Sequence, residues 1–228
     1  MDINKNGVVT NNEINEYCLP PEYQEVEYIE NTNSDYIELN FGFTPTDESY
    51  AIMSLNTSQT FEDMHAISTK TWNTKGRYAM GISYNKYNSG YGATGTGSTY
   101  LEPETTNNGE KHQWHYNNKK FKIIDLNISK DVSSINFNIT ETSNICLFYN
   151  GLHYTKAKIY NYKHYKNGII KANLIPCYRK SDSIIGMYDT VTKMFFTNSG
   201  TGTFTKGNDI EHARFYEDKI KANNFIEI

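Results

Sequence analysis

Several things are scarce in this 228-residue chain, and each scarcity closes off a class. No apolar run reaches membrane-spanning length, and the N-terminus lacks a basic start followed by an apolar stretch. Neither membrane insertion nor a signal peptide is therefore expected. With Met1 as the natural start, the protein would be made in a cytoplasm and not exported by the usual route. Cysteine occurs only at Cys18, Cys146 and Cys177, an odd number at wide spacing. That fits reduced thiols, or at most one bridge, better than a secreted disulfide framework. Basic charge is not in excess: 22 Lys and Arg face 26 Asp and Glu, for a net charge of -4. Without a basic footprint, nucleic acid is not an expected partner.

Aromatic residues are abundant, with 19 Tyr, 11 Phe and 2 Trp, yet only 37% of residues are hydrophobic and the mean hydropathy is -0.68. Tyrosine and threonine suit a pleated surface buried on one side only, so thin sheets with one wet face are expected. A chain of this length can bury a core without covalent staples. "EVEYIEN" (25–31), "YAIMSLN" (50–56), "RYAMGISYN" (77–85), "KKFKIIDLNISK" (119–130), "SSINFNIT" (133–140) and "NICLFYN" (144–150) read as strands. In "DYIELNF" (35–41), Ile37, Leu39 and Phe41 alternate with polar neighbours and are expected to face the core. Asn150-Gly151 and Asn167-Gly168 are hairpin signals. The Gly-, Ser- and Tyr-rich stretch between Asn85 and Asn108 reads as a long exposed loop or irregular hairpin. Short strands separated by turns every eight to twelve residues or so point to an antiparallel sandwich or barrel.

The two ends differ from this middle. "DINKNGVVTNNE" (2–13) fits the calcium-loop pattern at every defined position. Asp2, Asn4 and Asn6 would offer side-chain oxygens, Val8 a carbonyl, Thr10 a direct or water-mediated ligand and Glu13 a bidentate carboxylate. Of these ligands only Asp2 and Glu13 are charged, and no incoming helix precedes the loop, so calcium would bind weakly, as an accessory that orders the arm. Ile14, Tyr17 and Cys18 are spaced for a short exiting helix, stopped by "LPP" (19–21). "NDIEHARFYEDKIKANNF" (208–225) reads as a tail, helical if capped by Asn208 or Asp209.

Two stretches carry a family resemblance. "LPPEYQEVEYIENTNSDYIELNF" (19–41) resembles the opening of a jelly-roll module of phage structural proteins and bacterial surface proteins. "AKIYNYKHYKNGIIKANLIPCYRKSDSIIGMYDTVTKMFFTNSGTGTF" (157–204) resembles its close, including the Ile-Pro-Cys-Tyr-Arg-Lys run, Gly-x-Tyr-Asp and Asn-Ser-Gly-Thr-Gly. The module is similar to concanavalin A-like and laminin G-like domains; residues 42–156 match it only in rhythm. The resemblance implies an all-β, two-sheet antiparallel jelly-roll sandwich over 19–207 whose first and last strands lie close together. It would be preceded by a loop and short helix (1–18) and followed by the tail (208–228). It also implies a virion component on a fibre, tail or head surface, with host-surface glycans or other virion proteins as partners. Dimers or trimers follow by analogy with fibre modules.

The motifs behind the resemblance look like packing and turn chemistry and name no catalytic group. Some concanavalin-like glycan-cleaving enzymes place carboxylates on one strand as E-x-D-x-E, and no such triplet occurs here. Glu27, Glu30, Asp35 and Glu38 straddle a turn and form no ladder, so a non-enzymatic protein is expected. A glycan binder offers flat aromatics beside amides and carboxylates. Trp72, Tyr78, Tyr84, Tyr87, Tyr91, Tyr100 and Trp114, with Asn73, Asn85 and Asn88, supply that mixture around the Gly-rich stretch. Any such ring also suits a core. His112 and His115 in "KHQWHY" lack a neighbouring carboxylate or cysteine and read as an exposed strand, not a metal site. Lys156, Lys158, Lys163, Lys166 and Lys171 read as a solvated strand face, and Cys177 as a small buried side chain.

Overall fold

The structure, a computed structural model, describes residues 19–71, 76–92, 98–137 and 142–211. Among these residues there is no helix; two antiparallel sheets pack as a sandwich, the expected all-β architecture. The first flank supplies β1 (Tyr23–Glu25), β2 (Ile29–Glu30) and β3 (Ile37–Gly42). In β3 the alternation holds: Ile37, Leu39 and Phe41 are buried, while Glu38 is half-buried and Asn40 exposed. The stretch 25–31, expected as one strand, breaks at Glu27 and Tyr28, just after buried Val26, which bridges to Asp209.

The middle supplies β4 (Glu48–Leu55), β5 (Met64–Thr69), β6 (Arg77–Ser83), β7 (Lys86–Gly92), β8 (Ser98–Tyr100), β9 (His112–Asn117), β10 (Lys120–Ile123), β11 (Ile128–Asp131) and β12 (Asn144–Leu147). The second flank supplies β13 (Ala157–Lys166), β14 (Ile169–Arg179), β15 (Ile185–Asp189), β16 (Phe195–Phe196) and β17 (Thr205–Lys206). The smaller sheet runs β3-β12-β5-β6-β7-β8. The larger runs β11-β10-β9-β4-β13-β14-β15-β16, with β1 on β14 and β2 between β13 and β17. The flanks therefore close on each other. Tyr36 N–H donates to Asn198 Oδ1 at 3.1 Å and Ser199 N–H to the Tyr36 carbonyl at 2.8 Å.

Turn chemistry explains most of the local breaks. Asn167 and Gly168 both take positive φ (51° and 75°) and join β13 to β14 as a tight hairpin. Asn150-Gly151 instead makes a small loop closed by a Tyr149–Tyr154 bridge. Residues 119–130 are not one strand but the β10–β11 hairpin. Residues 133–137 of the expected 133–140 strand form a turn and irregular chain, and 138–140 lie outside the described residues. Asn208 and Asp209 pair with Glu27 and Val26 instead of capping a helix; 212–225 lies outside the described residues, as does Cys18. Cys146 and Cys177 are buried free thiols.

The largest departure concerns 85–108. This stretch holds β7 and β8, and β7 is buried almost throughout. Tyr87 and Tyr91 point into the core, while the side of the sheet away from the core needs small residues. A Cβ on Gly90 would lie 2.4 Å from Arg77 Nε, because the arginine side chain lies across that glycine. The composition that reads as a loop is here what lets a side chain pass close over a strand. The core itself is aromatic: Phe43 stacks on Tyr78 at 4.2 Å and meets Tyr116 edge-on at 5.1 Å.

Candidate functional site

Three neighbouring strands build an open groove on the outer face of the larger sheet. In β4, Ser49, Ala51 and Met53 are buried, which turns Glu48, Tyr50 and Ile52 outward. In β9, His112, Trp114 and Tyr116 go inward and Gln113, His115 and Asn117 outward. In β13, Tyr162 and His164 are buried while Asn161, Lys163 and Tyr165 stay half-buried. Register then lines these up: Lys122, His115, Tyr50 and Lys163 form one cross-strand row. Tyr165 stands opposite Glu48, and Ile52 stands between Gln113 and Asn161. The groove holds about 500 Å³.

At one end of it, where β4 begins, stands a carboxylate among donors. Glu48 Oε1 lies 3.0 Å from His115 Nε2 and accepts from Asn117 Nδ2 at 2.9 Å and from the Tyr50 hydroxyl at 2.5 Å. The hydrogen bond from Tyr50 is the main cause holding the Glu48 carboxyl below its usual range, with His115 and Asn117 adding to it against partial burial. The same bond, with burial, pushes the Tyr50 phenol up to about 12. At neutral pH the pair is thus a carboxylate and a neutral phenol. The Tyr50 and His115 rings stack at 4.2 Å and 9°, and Tyr165 meets Tyr50 edge-on at 6.1 Å. A flat aromatic pair, a fixed carboxylate, three amides and a lysine together suit a ligand with apolar faces and hydroxyl rims.

The aromatic candidates read from the sequence fall elsewhere. Tyr78, Tyr87, Tyr91 and Trp114 are at most 1% exposed and belong to the core. This corrects their assignment as stacking platforms, since a ring packed on all sides has no face left for a ligand. Tyr84 is exposed, but it sits at positive φ on the β6–β7 turn, with its hydroxyl 3.5 Å from Glu62, away from the groove. Tyr100 lies under the Lys86 ammonium, Asn85 is on the same turn as Tyr84, and Asn88 is buried against His65. Trp72 and Asn73 lie outside the described residues, as does the whole calcium-type loop with Asp2, Asn4, Asn6, Val8, Thr10 and Glu13. Among the described residues no group of three or more His, Cys, Asp or Glu gathers to hold a metal.

Histidine shows what spacing alone concealed. His112 faces inward between Asp125 and Asn108, while His115 faces the groove and Glu48. Each therefore has a carboxylate, supplied from another strand or loop. A third histidine, His164, lies buried between Asp47 at 2.9 Å and the Tyr162 hydroxyl at 3.0 Å, and burial lowers its pKa. Ser49 is nearby in this network but bonds to Tyr78, and the whole group is sealed from solvent. A serine that does not meet its histidine, with no access for substrate, is a core network and not a catalytic triad. Compared with known proteins, the chain matches no family model and no curated sequence. The groove and its chemistry therefore carry the functional argument.

Proposed function

We propose that the protein is a non-enzymatic binding module whose groove on the larger sheet takes a glycan. In the setting that the flanks suggest, it would be a phage virion component on a fibre, tail or head, and the ligand a host-surface or mucus glycan. The observation that carries the reading is the Tyr50–His115 stack beside Glu48 in an open groove lined with amides. Glu48 is the single carboxylate among the described residues lining it. Glycoside hydrolysis as a rule uses two carboxyl groups, roughly 5 to 10 Å apart, so binding fits this lining better than cleavage. A glycan array probed with wild type and Tyr50→Ala tests it. Signal on defined glycans that falls about fivefold or more in the variant is expected, since losing a stacked ring costs about 1 kcal/mol or more. Unchanged signal in Tyr50→Ala would remove the groove from consideration.

A second reading, an adaptor that holds other virion proteins without sugar recognition, is favoured by a different surface. Tyr36, Tyr149 and Tyr154 cluster at 4.7–6.1 Å beside Leu152, which is 63% exposed. Apolar anchors of this kind suit a protein interface. A clean protein silent on the array that binds another virion protein through Leu152 would establish that reading.

A further inference from the structure

The distribution of charge narrows the ligand, and the narrowing rests on the glycan reading above. Lysines on edge strands guard a sheet against edge-to-edge pairing. β13 is not an edge strand; it is hydrogen-bonded between β4 and β14, so its lysines need another reason. Lys158, Tyr160, Lys163 and Tyr165 are all half-buried along that strand. The Lys158 ammonium lies 4.6 Å from the centre of the Tyr28 ring, and the Lys111 ammonium 4.9 Å from that of Tyr160. Cations and rings are thus interleaved beyond the groove as well as within it.

Lys163 lines the groove beside Tyr50, and Lys122 stands next to His115 on the same face, outside the groove lining. Lys70, Lys86, Lys130 and Lys206 are each ion-paired with a glutamate or aspartate; Lys122 and Lys163 take no part in these pairs. The charge of Glu48 is already met by three donors. Positive charge is left over on both sides of the stacked rings, in a chain whose net charge is -4. Three interstrand steps of roughly 4.8 Å separate Lys122 from Lys163. β13 bulges between Ile159 and Asn161, so Lys158 and Lys163 stand opposite Ser54 and Tyr50, four β4 residues apart at roughly 3.3 Å each. Charges about 13–14 Å apart in two directions suit repeated anions on an extended chain, not one bound ion.

We propose that the groove binds an extended acidic polysaccharide bearing carboxylates along its chain. Its sugar rings would lie against Tyr50 and Tyr165, and its carboxylates would meet Lys122, Lys163 and, further along β13, Lys158. The test is calorimetric titration of the full chain with uronic-acid polymers (polygalacturonate, alginate and hyaluronate) and with the methyl ester of each, which keeps the backbone and removes the charge. At least one acid polymer is expected to bind about tenfold tighter than its ester at low salt, with the advantage shrinking as salt rises. Lys122→Met and Lys163→Met should each weaken the acid form by about two- to fivefold and weaken the ester less, so that the acid-over-ester ratio falls. Equal affinity for acid and ester would overturn the acidic assignment and leave glycan binding standing. Silence toward all these polymers and toward neutral glycans on the array would overturn both. Tighter binding of a single-stranded oligonucleotide of matched charge would overturn the proposal in favour of a nucleic acid.

Discussion

His65 on β5 and His115 on β9 each stand on the side of their sheet away from the shared core, with an amide and a charged group in reach. His65 Nε2 meets Asn88 Oδ1 at 3.0 Å, and Arg77 lies 3.3 Å from its Nδ1. His115 meets Glu48, beside Asn117. Their surroundings differ. His65, Arg77 and Asn88 are buried, along with Ser68 and Ala79 on the same side of the smaller sheet. Burial, aided by the Arg77 charge, pushes the His65 pKa down to about 3, so that ring stays neutral at any ordinary pH. On the larger sheet the corresponding face is open and its carboxylate ionised. The same residue types form a sealed network in one place and an open, solvent-facing surface in the other, and solvent access decides which.

The contrast can be broken at its strongest point first. Trp114, adjacent in sequence to His115 but on the core side, should cost about 3–5 kcal/mol as Trp114→Ala. Urea denaturation checks this, and a loss under about 1 kcal/mol would mean the ring is not in the core. Next comes the buried face. Arg77→Met leaves Asp63, 2.9 Å from the guanidinium, and His65 without their cation, and should cost about 3 kcal/mol in the same assay. An equally stable variant would show that this side of the sheet is wetter than described.

The pH dependence separates the two histidines more gently. His65 has a folded pKa near 3 against an ordinary value of 6.5. The unfolded chain therefore takes up a proton as pH falls below about 6.5 while the folded one does not. Stability is full above that pH and declines toward pH 3, at up to about 1.4 kcal/mol per unit; His164 shifts in the same direction. Between about pH 6 and 5 most carboxylates remain ionised, so a falling urea midpoint in that window reports the buried rings. His65→Gln should make that fall shallower, leaving the share due to His164. The smallest effect belongs to the open face: Tyr50→Ala should change stability by less than about 1 kcal/mol while weakening the proposed glycan binding. A variant as destabilised as Trp114→Ala would place Tyr50 in the core and end the comparison.

Much of this was visible in local pattern. Ile37, Leu39 and Phe41 declare their face by alternation, and Asn167-Gly168 declares its hairpin. Other turns did not announce themselves: Asn118 and Lys119 take positive φ without glycine, as do Tyr84 and Asn85, and so the β9–β10 and β6–β7 hairpins had no glycine signal. Tyr50, His115 and Tyr165 were each present on an alternating strand, yet none stood out. Their value lies in adjacency, and β4 is separated by many residues from both β9 and β13. The rings that did stand out, Tyr87, Tyr91 and Trp114, were conspicuous for a local richness in aromatics that the core consumed.

By itself, then, the sequence determined that the described chain would be all-β and which side of β3 would be buried. These follow from a period of two and from turn residues, both properties of a few consecutive amino acids; that the two flanks close on each other was implied only by the resemblance carried in 19–41 and 157–204. Only the tertiary structure decided which tyrosines reach solvent, which histidine is held neutral, and that Lys122, His115, Tyr50 and Lys163 stand in one row. The reason is physical: alternation assigns a side chain to a face, but whether that face is covered, and what stands opposite on the next strand, depends on pairings between segments far apart in the chain.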